Sequence, residues 1–178
     1  MKFFINFLTF FRLFSGPMIF YLLVLSFHPK IAFVLFLIAG LSDYFDGYLA
    51  RKYSFESVFG EVMDPIADKI LTLFLLLTLI LYFESIFIAL VGGVILSREF
   101  WVSALRDLNA RNKNYGATKV TFLAKLKTSS QFISFGSFLF GILINNSLII
   151  FLSNFLLLIA MILSLSTALD YTKASFKS

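Results

Sequence analysis

The chain has 178 residues, 60% of them hydrophobic, with a formal net charge of +5 and no cysteine. A mean hydropathy of +0.93 excludes an ordinary soluble domain, in which apolar residues make up about half of the chain. The absence of cysteine excludes thiol catalysis, disulfides and cysteine-bound metals.

A hydrocarbon core requires about 20 apolar residues per helix. On that measure six spans are expected, at 7–26, 31–50, 66–83, 86–105, 129–145 and 147–169. No Pro/Ser linker divides the chain, so residues 1–178 are expected to form a single membrane domain. No cleavable signal is expected, because Met1-Lys2 passes directly into a long apolar stretch.

Asn6, Thr9 and Arg12 accompany the first span. Residues 1–12 are alternatively a short helix lying on the membrane surface. His28-Pro29 marks the first break. His28, the single histidine, reads as an interfacial residue, since its loop lacks oxygen partners for a metal. The second span carries Asp43, Asp46, Gly47 and Ala50 and leads to Arg51 and a polar stretch, Lys52–Ser57. Gly60, Asp64 and Asp68 bring the chain into the third span, which Glu84-Ser85 closes. The fourth holds Arg98 and Glu99 well inside apolar sequence, with Arg106 and Asp107 at its end. After the polar stretch Asn109–Lys119 come Lys125, Lys127, Thr128 and Gln131 at the fifth span. Asn145-Asn146-Ser147 turns the chain into the sixth, which runs toward Ser166-Thr167-Ala168-Leu169-Asp170-Tyr171.

With the N-terminus inside, every lysine and arginine except Lys30 falls on the inner face. This asymmetry predicts that both termini are cytoplasmic. An odd number of spans would split the cations between the faces. The four acids then lie near the cytoplasmic ends of the second and third spans, open to cytosolic substrates and lipid headgroups together. The basic residues border spans and no reading module is visible, so nucleic acid is not an expected partner.

Asp43, Asp46, Asp64 and Asp68 are flanked by apolar sequence on both sides. Charges at a bilayer edge are costly and mark function. At about 100° per residue, Asp43, Asp46, Gly47 and Ala50 share one arc of a helix. Asp64 and Asp68, four apart, stack on one face of another. Four carboxylates in one site cannot all remain ionised without cations. Their hard oxygen atoms suit Mg²⁺ or Mn²⁺, and two such ions would balance them. Gly47, Ala50 and Gly60 leave room for a ligand to approach closely.

The second constellation is cationic. Arg98, deep in a span, must snorkel or bind an anion, and Glu99 or Asp107 offers the alternative of a structural ion pair. Arg106, Arg111, Lys125 and Lys127 lie on the same face. Together they suit a phosphomonoester, which arginine binds bidentately and lysine as a point charge.

The run Asp43-x-x-Asp46-Gly47-x-x-Ala50-Arg51, followed by Gly60, Asp64 and Asp68, resembles the complete signature of the CDP-alcohol phosphatidyltransferases. Arg98-Glu99 with Ser103 and Arg106, and Lys125, Lys127, Thr128 and Gln131, resemble the phosphatidylglycerophosphate synthase branch. Ala124 stands where that branch usually has glycine. Asn6, Thr9 and Arg12 resemble a further branch motif, with Ile5 in place of its usual proline.

The resemblance implies transfer of a phosphatidyl group from CDP-diacylglycerol to sn-glycerol 3-phosphate, with release of CMP. It implies that Asp43, Asp46, Asp64 and Asp68 bind metal and that Asp68 acts as general base. Gly47, Ala50, Arg51, Gly60, Asn6 and Thr9 would seat the CDP-diacylglycerol. Arg98, Arg106, Lys125, Lys127 and Arg12 would hold the glycerol phosphate. It also implies a homodimer in membrane lipid, and the uninterrupted apolar sequence suits a bacterial plasma membrane. Two rival readings remain: the same chemistry with inositol phosphate, inositol, serine, choline or phosphatidylglycerol as acceptor, and a cation transporter built on intramembrane acids.

Overall fold

The computed structural model describes the backbone of residues 2–53, 58–114, 116 and 121–176, and the side chains of 7–42, 60, 62–114, 116 and 121–176. Among the described residues, six α-helices follow one another: α1 (Lys2–Phe20), α2 (Pro29–Tyr53), α3 (Val58–Phe83), α4 (Ile86–Arg111), α5 (Phe122–Leu143) and α6 (Ser147–Ser175). No strand occurs among the described residues. α1 runs unbroken past residue 12 and continues as a π-helical turn, Tyr21–Leu25. Among the described residues, no separate surface helix is therefore set off over 2–12.

Local chemistry explains the boundaries. Pro29 opens α2, where its missing N–H has no intrahelical acceptor to serve. The side chains of Ser85, Thr121 and Asn146 accept from backbone N–H groups in the first turns of α4, α5 and α6. Glu84, Lys113 and Asn145, just after α3, α4 and α5, have positive φ values of 48°, 56° and 52°. These left-handed residues stop the helices. After α5, Asn146 N–H reaches back to the Gly141 carbonyl at 2.9 Å, closing the last turn.

The helices pack in a closed ring, α1–α2–α5–α6–α4–α3 and back to α1. Its main core draws on every helix, with Ile19, Phe36, Leu76, Ile95, Phe138 and Leu157 each contributed by a different one. Between α2 and α5, Phe36 stacks on Phe132 with centroids 4.5 Å apart. Gly40 lies directly against the Phe132 ring, and a Cβ there would overlap it.

The contacts also fix direction. Phe36 meets Phe132 while Phe33 meets Phe140, so α2 and α5 are antiparallel. Gly92 faces Leu76 across the tight α3–α4 turn, so those two helices are antiparallel as well. The start of α3, the end of α4, the start of α5 and the end of α6 therefore gather at one end of the ring.

Among the described residues, four helices are long and apolar enough to cross a membrane: Phe7–Leu25, Val62–Phe83, Ile86–Arg111 and Ser147–Ser175. The described apolar part of α2, Pro29–Ser42, is shorter. α5 begins with the polar run Lys125–Gln131, which lowers its hydropathy.

Candidate active site

At the gathered end, α1 and α3 form an acidic half-site. Asp64 and Asp68 are one turn apart on α3, so both carboxylates point to the same side. Thr9 and Arg12 are similarly related on α1. Thr9 Oγ1 donates to Asp64 Oδ1 at 2.8 Å. Arg12 donates to the same oxygen at 3.1 Å and pairs with Asp68 Oδ1 at 3.2 Å. The Arg12 side chain is only 1% exposed, whereas those of Asp64 and Asp68 are 42% and 55% exposed. The cation is thus internal, and the acids face outward. Both donors address Oδ1 of Asp64, which leaves Oδ2 open to a cation. That donor chemistry fits a hard divalent ion.

Gly60 is buried one turn before Asp64. Asp43, Asp46, Gly47, Ala50 and Arg51 lie on the backbone of α2, but their side chains, like that of Asn6, fall outside the described residues. The convergence of all four acids falls outside them too. Among the described residues no group of three or more His, Cys, Asp or Glu side chains gathers.

The cationic half-site joins α4, α5 and α6. Arg98 is buried. Its Nε donates to the Ser164 carbonyl at 2.8 Å and its NH2 donates to Thr167 Oγ1 at 2.6 Å. NH1 lies 3.5 Å from Glu99 Oε1. The buried Lys127 ammonium reaches the same oxygen from α5. Glu99 therefore bridges two cations from two helices. Lys127 precedes the apolar 129–145 stretch, and its burial lowers the ammonium below the usual lysine range despite the opposing attraction of Glu99. Arg106 and Lys125 are exposed. Arg111 is exposed and paired to Asp107 at 2.8 Å, within its own helix.

The expected phosphate ligands Arg98 and Lys127 are thus brought together, with Arg106 and Lys125 nearby in sequence on the same helices. Arg12 sits instead with the acids of α3. Sequence reasoning missed the α6 partner Ser164 and gave no role to Thr167 or the buried Tyr171, although both lie in the run 166–171 that it singled out. Their signal was modest: polar side chains recurring at helical spacing in an otherwise apolar helix.

The family profile of the CDP-alcohol phosphatidyltransferases matches residues 4–166. Three bacterial relatives each carry the name CDP-diacylglycerol–glycerol-3-phosphate 3-phosphatidyltransferase. The protein of Wigglesworthia glossinidia brevipalpis is 36% identical over 134 residues, 74% of each chain. That of Haemophilus influenzae is 33% identical over 172 residues, 95% of this chain and 91% of its own. That of Escherichia coli K12 is 32% identical over 130 residues, 71% of each. With the profile spanning nearly the whole helical ring, this chain belongs to the CDP-alcohol phosphatidyltransferase family and is an enzyme of that class.

Proposed function

We propose that this enzyme transfers the phosphatidyl group of CDP-diacylglycerol to sn-glycerol 3-phosphate, giving phosphatidylglycerophosphate and CMP. The carrying observation is the pairing, at one end of the ring, of an outward-facing acid pair with a buried arginine–lysine group. The names of the relatives support the same two substrates.

In the reaction, the free primary hydroxyl of glycerol 3-phosphate attacks the phosphorus that carries diacylglycerol. A P–O bond forms there, the bond to the CMP oxygen breaks, and CMP leaves with that electron pair. The hydroxyl proton passes to a carboxylate, and Asp68 is assigned that role. Asp43, Asp46 and Asp64, with a share from Asp68, would hold Mg²⁺ or Mn²⁺. Such ions, when bound, neutralise the diphosphate and stabilise the departing CMP.

Thr9 and Arg12 hold Asp64 and Asp68 in place through their hydrogen bonds. These contacts favour a role for Arg12 beside the acids over one at the glycerol phosphate. Asn6, Gly47, Ala50, Arg51 and Gly60 are assigned to the CDP-diacylglycerol. Arg98, Arg106, Lys125 and Lys127 are assigned to the glycerol phosphate, whose two negative charges they offset.

The enzyme is assigned to the bacterial plasma membrane, with all six helices crossing, both termini cytoplasmic and the site at the cytoplasmic face. The distribution of lysine and arginine supports this orientation. A homodimer is the assembly that the family resemblance implies.

The test is CMP release by purified protein supplied with CDP-diacylglycerol and a panel of alcohols. Turnover with glycerol 3-phosphate well above that with inositol phosphate, inositol, serine, choline or phosphatidylglycerol supports the proposal. Preference for another alcohol would replace the acceptor.

A further inference from the structure

Tyr171 lies on the face of α6 that holds Arg98. Ser164, Thr167 and Tyr171 recur at spacings of three and four residues, so one side of the helix presents them together. The Tyr171 side chain is 3% exposed and packs with Val102 and Leu105 of α4, Ala124 of α5 and Ala168. Ala124 is one turn before Lys127. The tyrosine therefore stands where the three helices of the cationic half-site meet, one turn from Thr167, which accepts from the Arg98 guanidinium.

Its hydroxyl oxygen is buried and has no hydrogen-bond partner. Buried tyrosine hydroxyls are normally hydrogen-bonded, because leaving one without a partner forfeits its hydration. Phenylalanine would fill the same apolar cluster without that cost. The hydroxyl takes no acceptor from the cationic half-site: Arg98 and Lys127 are donors, and Glu99 turns its Oε1 to those two cations, not to the tyrosine. A donor left without an acceptor, where the helices that carry Arg98 and Lys127 meet, matches an oxyanion that arrives with the substrate.

We propose that Tyr171 is a binding residue of the acceptor site, its hydroxyl donating a hydrogen bond to the phosphate of the glycerol phosphate held by Arg98 and Lys127. This inference rests on the function proposed above. Tyr171 thereby contributes to selection of a phosphorylated acceptor over a neutral alcohol.

The test is Tyr171→Phe in the full-length enzyme, with steady-state kinetics for both substrates, inorganic phosphate as competitor against glycerol 3-phosphate, and thermal melting. The expected result is an approximately tenfold rise in KM for glycerol 3-phosphate, the scale of one charge-assisted hydrogen bond. The inhibition constant of phosphate rises in parallel, KM for CDP-diacylglycerol is unchanged, and the melting temperature is unchanged or higher. An unaltered KM for glycerol 3-phosphate overturns the proposal, as does a raised KM with an unaltered phosphate inhibition constant. A variant that melts well below the wild type overturns it too, since the hydroxyl then has a partner within the fold. Failure of the wild-type enzyme to use glycerol 3-phosphate at all would instead remove the underlying function.

Discussion

Arg12 of α1 and Asp64 of α3, 52 residues apart in sequence, meet at 3.1 Å, with the guanidinium almost wholly buried and the carboxylate nearly half exposed. The same guanidinium reaches Asp68 at 3.2 Å. A buried cation thus holds two acids by one oxygen each and turns them toward the end of the ring. The arrangement keeps like charges together without burying them.

Removing that cation should be costly. Arg12→Ala leaves Asp64 and Asp68 without their common partner and opens a cavity behind them. Loss of a charge-assisted hydrogen bond costs about 1.5–3 kcal/mol, with the exposure of the acids favouring the lower part of that range. Thermal melting should fall by several degrees and CMP release should drop at least tenfold. Wild-type melting and turnover together would show that the pair organises nothing.

Metal removal should abolish turnover. Chelation with EDTA should stop CMP release, and Mg²⁺ or Mn²⁺ should restore it. Asp64→Asn should lose activity yet remain folded, because removing one charge relieves repulsion between the acids. Full turnover in metal-free buffer would contradict the role given to these carboxylates.

Lys127 offers a substrate-specific effect. Lys127→Ala should raise KM for glycerol 3-phosphate about 30- to 150-fold, the equivalent of about 2–3 kcal/mol for a lost charged contact. KM for CDP-diacylglycerol should change far less. Equal weakening of both substrates would assign Lys127 to the fold or to a shared phosphate.

The pH dependence should carry the same signature. Desolvation favours the neutral amine, so the Lys127 charge is lost at a pH below the ordinary lysine value of 10.5. Affinity for glycerol 3-phosphate should therefore fall on the alkaline side before an ordinary lysine titrates. Lys127→Arg, which keeps its charge throughout, should flatten that limb. An alkaline limb identical in the two proteins would give the titration to another group.

The helices were legible because apolar length and cap chemistry are local signals. The Asn145-Asn146-Ser147 turn and the Ser85 cap were visible in sequence, and α4 and α6 begin as expected. Boundaries moved where polar residues gain distant partners. α5 starts at Phe122, ahead of the apolar 129–145 stretch, because Thr121 caps it and Glu99 neutralises Lys127 in its first turns. The Asp64/Asp68 stack was likewise readable from spacing. Which element would face each acid was not, since the Arg12–Asp64, Lys127–Glu99 and Arg98–Thr167 contacts join separate helices and leave no local mark. Only the ring order brings those partners together.

Orientation in the membrane can be read with introduced cysteines, as the chain has none of its own. In intact cells, an impermeant thiol reagent should label Lys30→Cys and spare Phe176→Cys. The reverse pattern would move the site to the outer face.

The most direct measurement is product balance in a defined assay. Purified enzyme with CDP-diacylglycerol, glycerol 3-phosphate and Mg²⁺ should yield CMP and phosphatidylglycerophosphate in equal amounts, with neither formed when glycerol 3-phosphate is omitted. CMP without the phospholipid product, or product formation only with a different alcohol, would contradict the account.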